Sequence, residues 1–244
     1  MFQAMQNGKA GRTTSGLEAG APVRDLFRHT EDFLTSTVFE RLAYLRGPVA
    51  WELLCKTFPT LPVRKTVEIR SVEFWPRWPV NAGQSEAGKI ESFEPDIVFT
   101  LDLGDPPRPT LLILEVKTAG AQQVRQWKNQ LGAAIAFEDH EGLDIIYAAL
   151  GGLDGVDAPG LWSQVPGDLR ERATFAYAGW RDFGRAVATM NLRSSNEKRL
   201  LEDIEQALAL YRYRVTLLNK ALFDLPSLRS PLASLATLAP RKLS

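Results

Sequence analysis

The sequence has little cysteine, little histidine, no long apolar run and no net charge. Cys55 is the one cysteine, which excludes an internal disulfide framework and favours a reducing, cytoplasmic setting. With only His29 and His140, a histidine-rich metal site or a histidine-based triad is disfavoured. No apolar run approaches the roughly 20 residues that span a bilayer, and no signal peptide is visible, so we expect no membrane partner. The formal net charge is zero, which leaves any contact with a polyanion to local basic patches.

A chain of 244 residues fits one sizeable domain, alone or with a helical appendage. Residues 1–22 are rich in small and polar side chains, and we expect a disordered leader there. We expect residues 23–190 to form an α/β domain and residues 191–224 to form a long amphipathic helix that packs on it or extends it. Residues 225–244 are expected to be a tail.

Two strand-like runs lie at the centre of the sequence. The first begins at Glu94–Pro95–Asp96, and the second runs from Leu111 and is apolar on both faces until Glu115 and Lys117. A run that is apolar on both faces is typical of a central, covered strand. Its two charged residues are two positions apart, so their side chains share one face.

The connection between these runs, residues 102–109, is dense in turn-forming residues, which predicts an antiparallel hairpin. Such a hairpin would bring Asp96 beside Glu115 and Lys117. Two carboxylates are a sufficient protein contribution to a Mg²⁺ site, which keeps several waters. The pattern therefore indicates a site for a divalent cation, Mg²⁺ or Mn²⁺ in its place.

Pro95–Asp96 followed by Glu115–Val116–Lys117 resembles the PD-(D/E)XK nuclease superfamily, the restriction-endonuclease-like phosphodiesterases. The periodicity gives the order helix, strand, strand, strand, helix, strand, which matches the common core of that fold. The resemblance covers residues 25–222 and is weaker after 150. It implies a restriction-endonuclease-like α/β core, in which a mixed four- to five-stranded sheet is flanked by helices, with a C-terminal helical extension.

The resemblance also implies roles for individual residues. Asp96 and Glu115 would bind the metal, and the backbone carbonyl of Val116 could add an oxygen ligand. Lys117 would position or activate the attacking water, offset charge in the transition state and contact the nucleic acid.

Two helices carry further candidates. Thr30–Thr35, in a helix expected over residues 24–46, resembles the opening helix of one branch of the superfamily. There, Glu31 would lie near the metal, directly or through water. The alternative is that Glu31 is a solvated acid near a helix start, and Glu40 on the same helix is its substitute.

The second helix is expected over residues 121–138, after the lysine. Many superfamily members carry a glutamine there that faces the site. Gln130 is the closer match, with a role in orienting Lys117 or a phosphate, and Gln126 is the reserve. Exposed glutamines are common on helices, which is the alternative for both.

Nucleic-acid contacts are predicted at Arg77 and Trp78, at the end of a strand expected over residues 63–75, and at Lys89 in a polar loop over 80–92. An aromatic ring beside an arginine can stack on bases. The alternative, which has the greater weight, is that this proline-aromatic segment covers a core edge.

The last strong pattern predicts a helix over residues 196–223, with a heptad seam of apolar side chains. Such a seam can form a homodimer or dock on the core, and docking is the commoner outcome. The residues of the seam are Leu201, Ile204, Leu208, Tyr211, Val215, Leu218 and Leu222.

The resemblance implies a Mg²⁺-dependent endonuclease that hydrolyses DNA, with RNA as the other candidate substrate, in restriction, phage defence or repair. A second hypothesis is an inactive nucleic-acid- or partner-binding module of the same fold, whose acids form salt bridges. A third is a structural subunit whose working surface is the 196–223 helix.

Overall fold

The computed structural model describes residues 31–79 and 92–215, and there helices and strands are interspersed along the chain. The helices are α1 Glu31–Ala43, α2 Gly47–Thr57, α3 Val124–Ala136, α4 Ala158–Trp162, α5 Gly167–Arg170, α6 Trp180–Thr189 and α7 Ser195–Leu210. The strands are β1 Val67–Phe74, β2 Trp78–Pro79, β3 Ser92–Phe93, β4 Ile97–Leu103, β5 Arg108–Val116, β6 Asp144–Leu150 and β7 Ala173–Ala178.

Five strands form one mixed sheet in the order β1-β4-β5-β6-β7. The pairs β1–β4 and β4–β5 are antiparallel, whereas β5–β6 and β6–β7 are parallel. Strands β2 and β3 pair separately as a short ribbon. The α/β class and the mixed sheet flanked by helices are therefore confirmed.

Strand β5 lies at the centre of the sheet and is covered on both faces, as its apolar sequence predicts. Leu112, Leu114 and Val116 pack into the larger core, which also contains side chains of α1, α2, α6 and α7. Leu111 and Ile113 pack into a second core, formed largely with α3. This alternation directs Glu115 toward the α3 side of the sheet.

The predicted hairpin is confirmed by the register of β4 and β5. Ile97 lies opposite Leu114, so Asp96, one residue before β4, lies next to the end of β5. The two strands cross the middle of the sheet together, and the end of the hairpin away from its turn places Asp96 beside the charged end of β5.

The end of the first helix differs from the prediction of a helix over residues 24–46. Helix α1 ends at Ala43, and Gly47–Pro48 begins α2. Proline is favoured in the first turn of a helix because the N–H group that it lacks would have no hydrogen-bond partner within the helix there. A side chain at Gly47 would collide with the backbone carbonyl of Val67, so glycine allows α2 to approach β1.

The Gly- and Pro-rich segment 151–169 contains the short helices α4 and α5. Pro159 lies at the start of α4, where its fixed φ suits a first helical turn. Because glycine and proline favour turns, the composition of this segment does not indicate its two short helices.

Helix α7 is shorter than the predicted 196–223 helix, because it ends at Leu210. The N–H groups of Arg212 and Tyr213 bond to the carbonyls of Ala209 and Leu208, which is a Schellman motif. Arg212 has φ 62°, the left-handed conformation that this motif requires. The prediction of one continuous helix to 223 is therefore wrong.

The first part of the heptad seam is used inside the chain. Leu201, Ile204 and Leu208 are buried in the larger core, where α7 packs against α1. Leu218 and Leu222 lie outside the described residues, so a homodimer through this segment stays a prediction. The described residues up to Arg214 belong to one compact unit, which includes α7.

Within the described ranges no helix has the length and apolar character needed to cross a membrane. The leader at residues 1–22, Lys89 and nearly all of the 80–92 loop, and the tail at 225–244 lie outside those ranges.

Candidate functional site

Four charged side chains meet where β5 ends: Glu31, Asp96, Glu115 and Lys117. The Nζ of Lys117 lies 2.5 Å from Oε1 of Glu115 and 3.3 Å from Oε1 of Glu31. Asp96 accepts a hydrogen bond from the backbone N–H of Val116 through Oδ2 at 2.7 Å. The β4–β5 hairpin positions two of the acids and the lysine, and α1 supplies the third acid.

Two of the four side chains are buried, Glu31 and Lys117 are partly exposed, and the cluster has more acids than bases. The exposed fraction is 0% for Glu115 and 9% for Asp96. Burial raises the pKa of Asp96 well above its ordinary value, and the charge of Glu115 raises this pKa further. Lys117 and the Val116 N–H oppose this shift without cancelling it. An added cation would therefore be electrostatically favourable beside Asp96.

Lys117 is held as an ammonium ion. Burial by itself lowers the pKa of Lys117, but the nearby carboxylates of Glu115 and Asp96 outweigh it and raise the pKa. The same ammonium also donates to the backbone carbonyl of Val116 at 3.0 Å. Lys117 thus links two acids and a carbonyl oxygen at one point.

Helix α3 contributes two glutamines, one turn apart on the same face. Gln126 donates to Oε1 of Glu115 at 2.6 Å, and Gln130 donates to Oε2 at 2.8 Å. Gln130 therefore reaches the site, as does its reserve Gln126. The side-chain amide of Gln130 contacts Glu115, whereas the sequence predicted that it would contact Lys117 or a phosphate.

Tyr147 on β6 extends this network and was not predicted from the sequence. Its hydroxyl donates to Oε1 of Gln130 at 2.5 Å. Burial, together with the charges of Glu115 and Asp96, raises the pKa of Tyr147 well above its ordinary value, so the hydroxyl stays a donor. Because Tyr147 occupies the amide oxygen, the Gln130 NH₂ group is directed at Glu115.

Gln122 is a second residue that sequence analysis missed. It accepts a hydrogen bond from the indole N–H of Trp127 at 2.9 Å and donates to the carbonyl of Gly151 at 3.1 Å. It precedes α3 and joins the loop after Lys117 to the end of β6. A buried glutamine must be hydrogen-bonded, but nothing in its sequence position identifies its partners.

The residues just after Lys117 are held by three different elements. The backbone N–H of Thr118 donates to Oε2 of Glu31 at 2.6 Å. Trp180 donates to the carbonyl of Lys117 at 3.1 Å, and Tyr213 donates to the carbonyl of Thr118 at 3.0 Å. The rings of Trp180 and Tyr213 stack with centroids 5.6 Å apart. The turn after α7 therefore brings Tyr213 back to the site.

Glycines let the backbone approach Lys117 closely. Gly151 and Gly152 have φ of +75° and +66°, which disfavours other residues. A Cβ on Gly151 would collide with the carbonyl of Lys117, and one on Gly152 would lie 2.8 Å from Cβ of Lys117.

The donor set fits a hard divalent cation. In the described residues no group of three or more histidine, cysteine, aspartate or glutamate side chains is arranged around a metal position. Mg²⁺ needs only one or two carboxylates, because it retains waters. Asp96 and Glu115 are oxygen donors whose buried negative charge a dication would offset.

The other predicted residues have mixed outcomes. Trp78 is 4% exposed and packs edge-on against His140, so stacking of its ring on bases is not supported, and the core-edge alternative describes it. Arg77 is exposed and pairs with Glu94 at 3.1 Å. Glu40 pairs with its neighbour Arg41 at 3.3 Å. Glu31 contacts the site, so no substitute on α1 is required.

Comparison with known proteins finds similarity to an uncharacterized protein of Pasteurella multocida (strain Pm70), with 31% identity over 159 residues. The match covers 64% of this chain and 55% of that relative, so the chain spans about half the relative's length. No protein-family model matches the sequence, and no solved structure gives a significant match.

Proposed function

We propose that this chain is a metal-dependent nuclease of the PD-(D/E)XK type that hydrolyses phosphodiester bonds of DNA. The observation that carries the proposal is the hairpin that unites Asp96 with Glu115 and Lys117 at one sheet edge. A restriction-endonuclease-like core is part of the same proposal, supported by the mixed sheet with this hairpin at its centre.

Asp96 and Glu115 are the residues that would hold Mg²⁺ or Mn²⁺, with the carbonyl of Val116 as a further oxygen. When bound, such an ion polarises a phosphoryl oxygen and makes water a better nucleophile near neutral pH. Glu31 lies across Lys117 from Glu115, and in this proposal it orients water at the rim of the site.

Lys117 acts as a fixed positive charge beside the scissile phosphate. A water oxygen attacks phosphorus and gives up one proton to solvent, the bond from phosphorus to the leaving oxygen breaks, and that oxygen takes a proton from solvent. The ammonium orients the water and stabilises the negative charge that grows on the phosphate oxygens. Gln126 and Gln130 contribute by holding both oxygens of Glu115 in place.

The test is to incubate the purified chain with supercoiled, linear and single-stranded DNA and with RNA, each with Mg²⁺, Mn²⁺ or chelator. We expect cleavage of DNA with metal and none with chelator. Asp96→Ala and Glu115→Ala should each abolish cleavage while the circular dichroism spectrum stays native. Undiminished cleavage by both variants would contradict the assignment.

A second candidate function is nucleic-acid or partner binding without catalysis. It is favoured by the contacts of Lys117, which already bonds to Glu31, Glu115 and the carbonyl of Val116. This candidate predicts binding that needs no divalent metal and survives Asp96→Ala, with no cleavage in any lane of the same experiment.

A further inference from the structure

A groove leads away from Lys117 along the first turns of α6. It consists of two adjoining cavities of about 750 and 620 Å³. The first is bordered by Lys117, and the second is bordered by Lys56 and Tyr177. The two cavities share lining residues, Asp182 and Arg185 among them, so they adjoin at the start of α6.

The charge of this groove differs from that of the whole chain. The charged residues that line it are Lys56, Lys117, Arg181 and Arg185, against Asp154 and Asp182. The chain itself has a formal net charge of zero. Lys56 is paired with Glu52, and Lys117 with Glu31 and Glu115, so the uncompensated cation among the described lining residues is Arg181. An exposed cation in a groove favours an anionic ligand beside it.

The two arginines differ in how far their charge is compensated. Arg185 pairs with Asp182 at 2.9 Å, and Asp182 also accepts the Gly179 N–H at 3.0 Å. Arg181 is exposed and has no ion-pair partner in residues 31–79 or 92–215. Its guanidinium is therefore available to a ligand in the first cavity.

The far end of the groove has an exposed aromatic ring. Trp162 stacks on Phe175 with centroids 4.4 Å apart, and Phe175 stacks on Tyr177 at 5.8 Å. Tyr177 is the outermost ring of this row and is 39% exposed. A flat aromatic ligand could continue the row by stacking on Tyr177.

We propose that this groove binds a single strand of nucleic acid. Arg181 and Arg185 contact successive phosphates, and an unpaired base stacks at Tyr177. Proteins that bind single strands combine a basic groove with aromatic stacking platforms, which is the combination present here. Bases inside a duplex are stacked on both faces, so an internal base of a duplex cannot offer its face to Tyr177. The inference rests on the proposed function in one respect only, which is that the end of the bound nucleic-acid strand would place a phosphate at Lys117.

The test measures binding by the full chain, by fluorescence anisotropy in chelator, so that cleavage does not interfere. The probes are a labelled single-stranded DNA of about 12 nucleotides, the same sequence as RNA, and the blunt DNA duplex. We expect Arg181→Ala and Tyr177→Ala each to weaken single-strand binding by about tenfold. Arg181→Ala should also reduce the slope of log affinity against log salt by about 0.7.

The matched controls are Arg108→Ala, at the opposite end of β5, and Tyr44→Ala, an exposed tyrosine beyond α1. Both should bind like the wild type. Tyr177→Phe keeps the ring and should retain binding, which separates stacking from misfolding. A loss that appears only in RNA or only in DNA identifies the strand and still supports the groove.

Equal binding by the groove variants and their controls would overturn the inference, as would no binding of any single strand. Duplex binding as tight as single-strand binding, with the same losses, would also overturn it. Cleavage is assayed separately with Mg²⁺. Binding that depends on the groove residues, without any cleavage, would contradict the proposed nuclease activity but not the proposed groove. Cleavage by a chain whose binding does not depend on the groove residues would contradict only the groove.

Discussion

At the scale of single residues, two effects disfavour the ionised form of Asp96. It is largely buried, and the charge of Glu115 is close enough to raise its pKa. Its one favourable backbone contact, the Val116 N–H, would be equally satisfied by a neutral amide oxygen. The carboxylate is therefore a costly choice for stability, which is common for residues that bind a cation.

We predict that Asp96→Asn raises the free energy of unfolding in chelator while it abolishes metal-dependent cleavage. A carboxyl group whose pKa is raised on folding contributes stability at acid pH, and this contribution is lost as pH rises through the folded pKa. The advantage of asparagine should thus be smallest near about pH 4 and grow as pH rises. Urea unfolding across pH measures this, and a destabilised variant at neutral pH would contradict it.

Tyr147 acts on Glu115 through Gln130. Tyr147→Phe leaves a buried amide oxygen without its donor, which should cost about 1–3 kcal/mol of stability. It also frees Gln130 to rotate, so we expect about tenfold slower cleavage and a higher Mg²⁺ requirement, with the Michaelis constant for DNA unchanged. The control is Tyr44→Phe, at an exposed position. Unchanged Mg²⁺ dependence in Tyr147→Phe would remove its positioning role.

The sequence predicted some site residues and missed others for a physical reason. Glu115 and Lys117 interrupt an apolar strand, and strand alternation puts them on one face, so local pattern was sufficient. Tyr147 and Gln122 reach the site only because β6 pairs with β5 and α3 crosses the sheet. Those contacts depend on tertiary packing, which no local period encodes.

At the scale of elements, the end of α7 decides where the last described residues go. A heptad pattern predicts continued helix, but the Schellman turn at Arg212 stops it and returns Tyr213 to Thr118. Arginine carries no sequence signal for a left-handed residue, whereas glycine would have. The helix end was therefore not predictable from apolar periodicity alone.

Substitutions at Arg212 test this turn. Arg212→Val should lower the free energy of unfolding by about 1 kcal/mol or more, because a β-branched residue is strained at positive φ. Arg212→Gly should not lower it, since glycine adopts this conformation readily. Chemical denaturation measures both variants. Equal effects of valine and glycine would show that the backbone conformation is not the cause.

The start of α7 is tied to the α1–α2 junction by an ion pair. Arg46 contacts both carboxylate oxygens of Glu197, at 2.7 and 3.0 Å. The hydrogen bond from Arg46 lowers the pKa of the Glu197 carboxyl, against the effect of burial. A carboxyl whose pKa is lowered on folding contributes stability above its unfolded pKa, and that stability is lost as pH falls through the folded pKa.

Glu197→Gln should therefore lower the melting temperature at neutral pH, and its difference from the wild type should shrink as the solution is acidified. Thermal melts from neutral to acid pH measure this difference. Glu202→Gln, an exposed position on the same helix, is the control and should have little effect. A Glu197→Gln effect that is constant over the whole pH range would contradict the ion-pair account.

At the scale of the whole molecule, one central strand organises both the core and the site. The two apolar faces of β5 allowed its central position to be predicted from sequence, and the turn-rich connection allowed its pairing with β4 to be predicted. The pairing partners of β6 and β7 were not predictable in detail, and neither were the short helices between these two strands. Their arrangement depends on long-range packing around a Gly- and Pro-rich segment.

The most direct test of the central claim is the rate at which supercoiled plasmid is nicked at saturating Mg²⁺ by the wild type and by Glu115→Gln. The amide nearly preserves the shape of Glu115 and removes its charge. The account predicts nicking by the wild type and at least about 100-fold slower nicking by the variant, with the folded spectrum unchanged. A variant that nicks as fast as the wild type, or a wild type that cleaves nothing, would contradict it.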